Sequence, residues 1–225
     1  MIPDLDEFYR EEFGLVAGLD EAGRGPLAGP VVAAAVILEE PIEGVVDSKL
    51  LSPSEREELF EIIMDRARVG IGLATPEEID VLNILRATSL AMERAIENLG
   101  LEPNYVIIDG RNLKVSTPGT CIVKGDRKSS SIAAASIVAK VVRDRLMISY
   151  SKIYEGYGFE RHKGYPTREH INVIGRLGPT PFHRLTFSKV VERLDLRTLE
   201  RWIEKGLISE RRYERIMEKR RKLGL

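Results

Sequence analysis

At 225 residues the chain can bury one substantial core, and its 43% hydrophobic and 31% charged composition places it with soluble globular proteins and excludes an intrinsically disordered one. No apolar run reaches transmembrane length, and the acidic stretch from Met1 to Glu12 lacks the basic flank and apolar centre of a signal peptide, so no membrane association and a cytoplasmic location are expected. A single cysteine, Cys121, beside only His162, His170 and His183 excludes an internal disulfide and a cysteine–histidine zinc cluster, and the net charge of −1 gives no overall attraction for nucleic acid.

Met1 to Glu12 reads as a short polar helix or arm, followed by an apolar strand from Leu15 to Asp20. Asp20 and Glu21 terminate that strand, and the loop after them, Gly23 to Pro30, is rich in glycine and proline around one cation, Arg24. With so few side chains, its backbone N–H groups can approach a ligand closely. Val31 to Leu38 is a continuous apolar run of buried-strand length. Asp47-Ser48-Lys49 lies in a connector before Ser52-Pro53-Ser54-Glu55, which combines an N-cap, a proline at the first helical position and a capping glutamate.

Val69 to Ala74, alternating apolar residues with glycine, predicts a third strand. Thr75-Pro76-Glu77-Glu78 repeats the helix-start signature, and one long helix is expected from there to Leu99, stopped by Gly100. Tyr105 to Ile108 and Thr120 to Val123 are the fourth and fifth strands, followed by Asp109-Gly110 and Lys124-Gly125-Asp126. Ser129 to about Tyr150 is a helix whose first half is almost all small residues, which suits close packing on a sheet. Gly156 to Gly164 reads as a loop leading to Tyr165, and Thr167 caps a helix ending at Leu177. Three short helices close the chain, Ser188 to Leu194, Leu196 to Lys205 and Glu210 to Lys222. From Arg201 onward nine Lys or Arg face four Glu, the one clear segregation of positive charge. Glutamine is absent while Glu, Arg and Lys are plentiful, as in proteins from hot environments.

Strands first and crossover helices later predict a mixed sheet covered by helices. If the first and fourth strands are neighbours, Asp20, Glu21 and Asp109 converge, and Asp126 follows from the next strand. Carboxylates so crowded need cations, and oxygen-only ligation selects Mg²⁺ or Mn²⁺ over zinc. Two such ions about 3.5 to 4 Å apart clamp a phosphoryl group for hydrolysis. The pattern leaves the substrate open among DNA, RNA and small phosphate esters.

Six segments, Gly-Leu-Asp-Glu-Ala-Gly-Arg-Gly-Pro, Asp-Ser-Lys, Ile-Ile-Asp-Gly, Val-Lys-Gly-Asp, Ala-Ala-Ser-Ile-Val-Ala-Lys-Val-Val-Arg-Asp and His-Lys-Gly-Tyr-Pro-Thr, occur in this order between Phe13 and Phe187. As a set they resemble the bacterial type of ribonuclease HII. The resemblance implies an α/β, ribonuclease H-like fold: a five-stranded mixed sheet flanked by helices in residues 1–187, with a small helical, basic C-terminal part in 188–225. It also implies a monomeric metal-dependent endonuclease that cleaves the RNA strand of RNA–DNA hybrids and the phosphodiester 5′ of ribonucleotides embedded in duplex DNA, leaving 3′-hydroxyl and 5′-phosphate ends. On this resemblance Asp20, Glu21, Asp109 and Asp126 hold two Mg²⁺ or Mn²⁺ ions. Gly23, Arg24 and Gly25 read the ribonucleotide 2′-hydroxyl through the backbone, and Tyr165 supports recognition from the deoxyribose side.

A 2′-hydroxyl is the group that separates RNA from DNA, and a glycine-flanked backbone reaches it unobstructed. Lys49, Lys140 and Arg143 are candidate phosphate contacts, and the basic C-terminal helix is a candidate grip on duplex backbone or a merely solvated face. His162 and His183 are read as structural or phosphate-contacting, since two-metal hydrolysis requires no proton carrier. The rival readings are another nuclease of the same fold, a resolvase or an exonuclease, and a non-catalytic hybrid-binding module.

Overall fold

The computed structural model describes residues 5–45 and 51–225. It contains helices α1 (Leu5–Phe13), α2 (Pro53–Arg66), α3 (Pro76–Leu82), α4 (Ile84–Glu97), α5 (Ser130–Ser151), α6 (Phe159–His162), α7 (Arg168–Leu177), α8 (Ser188–Val191), α9 (Leu196–Glu204) and α10 (Glu210–Leu223). Five strands, β1 (Val16–Ala22), β2 (Val31–Ile37), β3 (Arg68–Ala74), β4 (Tyr105–Asp109) and β5 (Gly119–Ile122), form one sheet in the order β3-β2-β1-β4-β5. β1 runs antiparallel to β2 and parallel to β4, and β4 runs parallel to β5, which makes the sheet mixed, as expected.

Two compact units are interleaved along the sequence. The first takes the described residues of Met1–Ala22, Val31–Leu73 and Thr88–Arg143, and the second takes Gly23–Pro30, Ala74–Ala87 and Asp144–Leu225.

In the first unit every residue of β2 is buried, and the small residues of α5 from Ala133 to Ala139 pack with Ala34 and Val36 of β2 and with Phe60 and Ile63 of α2. Glycines set the spacing. A Cβ on Gly18 of β1 would stand 2.4 Å from the Ile132 nitrogen, and Cβ atoms on Gly70 and Gly72 of β3 would stand 2.0 and 2.1 Å from the carbonyl oxygens of Ala95 and Ala91. These helices therefore sit directly on strand backbone. Asp6 of α1 is buried and caps α5: Oδ2 accepts the Ser131 N–H at 2.7 Å, while Oδ1 accepts the hydroxyls of Ser129 and Ser131.

Apolar clusters of described residues hold the second unit together. One joins Leu27, Ile174, Leu185 and the buried faces of α8, α9 and α10, and another gathers Ala28, Met147, Tyr157, Phe159 and Phe182. Asp195 and Ser209 cap α9 and α10. Asp80 of α3 and Arg212 of α10 form an ion pair at 2.8 Å, with side chains 0% and 2% exposed, joining residues on either side of the expected boundary at 187/188.

Capping boxes at Ser52 and Thr75 form as the sequence predicts. The single helix expected from Thr75 to Leu99 is instead two. Asn83 takes φ 73° and breaks it, and its side-chain oxygen then accepts the N–H groups of Leu85 and Arg86, capping α4. β1 also runs past Asp20 to Ala22, which places Glu21 within the strand, and the expected loop from Gly156 to Gly164 contains the helical turn α6.

Candidate functional site

In the first unit, pairing in the sheet assembles the acids. Asp20 and Glu21 lie opposite Ala34 and Ala33 of β2, where small partners leave room. On the other side Leu19 pairs with Ile108, so parallel β4 brings its last residue, Asp109, level with Asp20. Asp20 is 6% exposed, and its pKa is pushed well above the carboxylate range, first by burial and then by the Glu21 charge. A hydrogen bond from Ser136 of α5 opposes the rise, and Asp109 adds to it.

Asp109 reaches onward to the segment after β5. Its Oδ1 accepts the Gly125 N–H at 2.7 Å, and Gly125 opens the 3-10 turn Gly125–Arg127 that carries buried Asp126. A Cβ at Gly125 would lie 2.7 Å from Ile132 Cδ1 and 3.4 Å from Asp109 Oδ1. All four predicted carboxylates thus lie at the C-terminal ends of β1, β4 and β5.

Buried oxygens Oε2 of Glu21 and Oδ1 of Asp126 accept no hydrogen bond among the described residues, although both side chains take part in other interactions. No three His, Cys, Asp or Glu side chains among the described residues already stand at metal-ligand spacing. The donor set is nevertheless all oxygen, and it concentrates negative charge that burial disfavours. It fits a hard divalent cation.

In the second unit, the glycine-rich loop is built around Arg184, which is fully buried. Its guanidinium donates to the carbonyls of Gly23, Arg24, Pro26, Gly29 and Pro30 at 2.5 to 3.2 Å. The Leu27 N–H donates to the Gly164 carbonyl at 2.8 Å, which fastens the loop next to Tyr165. Gly25 is exposed, and a Cβ there would meet Tyr165 Cε1 at 3.8 Å; the Tyr165 side of the contact is 38% exposed. A backbone segment and an aromatic ring are thereby presented together to solvent.

Of the remaining candidates, Lys140 is half-buried and Arg143 is 1% exposed, among the packing side chains rather than on an open surface. Lys49 lies outside the described residues. His162, His170 and His183 are all buried: His162 Nε2 lies 2.8 Å from the Tyr157 carbonyl, and the Nε2 atoms of His170 and His183 lie 3.2 Å apart. Burial lowers the pKa of all three, to about 4 at His170 and about 3 at His183. Their ring nitrogens meet groups of the second unit. The positive charge near the C-terminus is partly committed to the fold, since Arg212 pairs with Asp80 and Arg220 donates to the Val191 and Leu194 carbonyls.

Sequence reasoning missed Ser136, Arg184 and the Asp80–Arg212 pair. Ser136 had a signal, the one hydroxyl in the small and apolar run from Ile132 to Ala139. Arg184 had none, because its partners lie more than 150 positions away.

The five-stranded order and the acids at strand ends define a nuclease of the ribonuclease H-like class, and solved structures agree. A ribonuclease H2 from Pyrococcus horikoshii OT3 matches with TM-score 0.64 at 30% identity, covering 79% of this chain and 95% of the other. An RNase HII from Archaeoglobus fulgidus, solved in complex with PCNA, matches with TM-score 0.59 at 26% identity over 87% and 91% of the two chains. The family model described as Ribonuclease HII matches residues 17–190, and the Thermotoga maritima protein of that name is 59% identical over 95% of this chain and 90% of its own length. The chain belongs to the ribonuclease HII family. Its activity is that of a metal-dependent ribonuclease H, an endonuclease that hydrolyses RNA in RNA–DNA hybrids.

Proposed function

We propose that Asp20, Glu21, Asp109 and Asp126 hold two divalent ions, Mg²⁺ or Mn²⁺, and that the chain also cuts duplex DNA 5′ of an embedded ribonucleotide. Water adds to the phosphorus as the P–O3′ bond breaks, leaving a 3′-hydroxyl upstream and a 5′-phosphate on the ribonucleotide. Bound at the carboxylates, the ions would acidify that water and offset charge on the departing oxygen. The side chains orient them: Asp20 and Glu21 from one strand, Asp109 from its neighbour, Asp126 from the turn that Asp109 fastens.

Gly23, Arg24 and Gly25 supply backbone groups for the 2′-hydroxyl, starting two residues beyond Glu21 along the chain, and Tyr165 offers a ring face and a hydroxyl to the sugar beside it. Lys140 is the phosphate contact we favour among the described basic residues.

The supporting observation is the burial of Asp20 against Glu21 and Asp109, with Asp109 tied to Gly125. The test is cleavage of a uniform RNA–DNA hybrid in Mg²⁺, in Mn²⁺ and in chelator, with Asp109→Asn alongside. Cutting that needs a metal and is lost in the variant supports the assignment, whereas cutting in chelator or undiminished cutting by Asp109→Asn overturns it. A replication protein as recruiting partner is a further reading, carried by the likeness to the PCNA-bound relative, and co-sedimentation with a sliding clamp would test it.

A further inference from the structure

Every N–H of the Arg184 guanidinium has a carbonyl of the 23–30 loop as its partner: Nε donates to Gly29, Nη1 to Arg24 and Pro26, Nη2 to Gly23 and Pro30. Five N–H donors meet five carbonyl acceptors, which matches the full donor count of a guanidinium, and its face lies over the Phe187 ring. In a planar trans peptide the C=O and the next N–H point in opposite directions. With the Gly23 and Arg24 carbonyls drawn inward to Arg184, the N–H groups of Arg24 and Gly25 are turned the other way.

The neighbouring residue does the same for Tyr165. Thr180 N–H donates to His183 Nδ1 at 3.0 Å, which leaves the proton of the neutral ring on Nε2. That proton is given to His170 Nε2 at 3.2 Å, and His170 Nδ1–H is given in turn to the Tyr165 carbonyl at 3.0 Å. The dipeptide is held from behind: Arg212 donates to the carbonyls of Pro181 and His183, and Asp80 accepts the N–H groups of Leu185 and Thr186.

We propose that His183 and Arg184 are positioning residues that set the 23–25 backbone and Tyr165 in register with one another, and so determine discrimination for a ribonucleotide rather than hydrolysis itself. The inference rests on the proposed roles of Gly23–Gly25 and Tyr165. Lysine at 184 keeps the charge but has three donors on one point, too few for five carbonyls spread around a planar fork.

The test is a double-mutant cycle between Arg184→Lys and Tyr165→Ala. It is read as kcat and KM on duplex DNA with one ribonucleotide and on a uniform hybrid, with melting curves to establish folding. Arg184→Lys is expected to lower kcat/KM on the single-ribonucleotide duplex at least 10-fold more than on the hybrid. Combined with Tyr165→Ala it should add less than 3-fold, because both changes remove the same register. A folded Arg184→Lys protein with equal losses on both substrates, or strictly multiplicative losses with Tyr165→Ala, overturns the proposal. If Tyr165→Ala alone leaves the preference for the ribonucleotide intact, the roles assigned to the reading elements fail first, and the positioning claim falls with them. Should Arg184→Lys not fold, Thr180→Val, which removes a hydroxyl 2.9 Å from His183 Nδ1, takes its place with the same criteria at 3-fold.

Discussion

Asp109 Oδ1 accepts the backbone N–H of Gly125 at 2.7 Å, so a carboxylate at the end of one strand fixes the turn that carries Asp126, the last of the four acids proposed to hold metal. A Cβ there would stand 2.7 Å from Ile132 Cδ1, the end of a side chain that can rotate, and 3.4 Å from Asp109 Oδ1, which crowds the contact. Gly125→Ala should therefore press Asp109 and the turn apart, cost about 1 kcal/mol, and weaken metal binding as Asp126 shifts. Chemical denaturation and a Mg²⁺ titration would check it. Unchanged metal affinity would separate Asp126 from the site.

Asp20 predicts a conflict between stability and activity. Its folded pKa is raised, so its favourable contribution is full below the unfolded value of about 3.9 and is lost as pH rises through the folded pKa. Without metal, charge on Asp20 is therefore unfavourable to the fold. Asp20→Asn should melt higher than the parent in chelator while losing about 100-fold or more in kcat, the equivalent of a few kcal/mol of transition-state stabilisation. Adding Mg²⁺ should raise the melting point of the parent and not of the variant. A lower melting point for the variant in chelator would count against a strained acid cluster.

The Asp80–Arg212 pair is buried at both ends, and Asp80 also accepts from Leu185 and Thr186. Arg212→Ala leaves a buried carboxylate without its cation and should cost roughly 3–5 kcal/mol in urea unfolding. A loss under 1 kcal/mol would mean that solvent reaches Asp80 once the arginine is gone.

His170 and His183 make the fold acid-sensitive. Both are depressed, to about 4 and about 3, chiefly by burial, with His162 and Arg212 adding positive charge nearby. Above pH 6.5 neither state binds the proton. Below it the unfolded chain does and the folded one does not, so stability falls by about 1.4 kcal/mol per pH unit for each ring, down to the folded pKa. Urea midpoints measured from pH 7.5 to 4.5 should drop steeply, and His183→Asn should flatten the slope. A slope unchanged in the variant would show that His183 titrates normally.

Much of this architecture was legible in local sequence. Proline after Ser52 and Thr75 with glutamate two residues further on, and apolar runs closed by acids, depend on neighbours in the chain, and both kinds of element appear within a few residues of expectation. The break at Asn83 was not legible, because an apolar stripe on either side of it masks one residue in a left-handed conformation. Asp6 reads as a solvated acid in a polar arm, yet it caps a helix 125 positions away. The four acids proposed for the site were visible at or just after strand ends, whereas the scaffolding behind the 23–30 loop, Arg184 and its five carbonyls, has no periodicity or spacing to betray it.

Cleavage of duplex DNA containing one ribonucleotide, beside the same duplex made wholly of DNA and in the presence of Mg²⁺, tests the account most directly. It predicts one cut, 5′ of the ribonucleotide, leaving a 3′-hydroxyl and a 5′-phosphate, with the all-DNA duplex intact. Equal cutting of both duplexes, or a cut that persists in chelator, would contradict it.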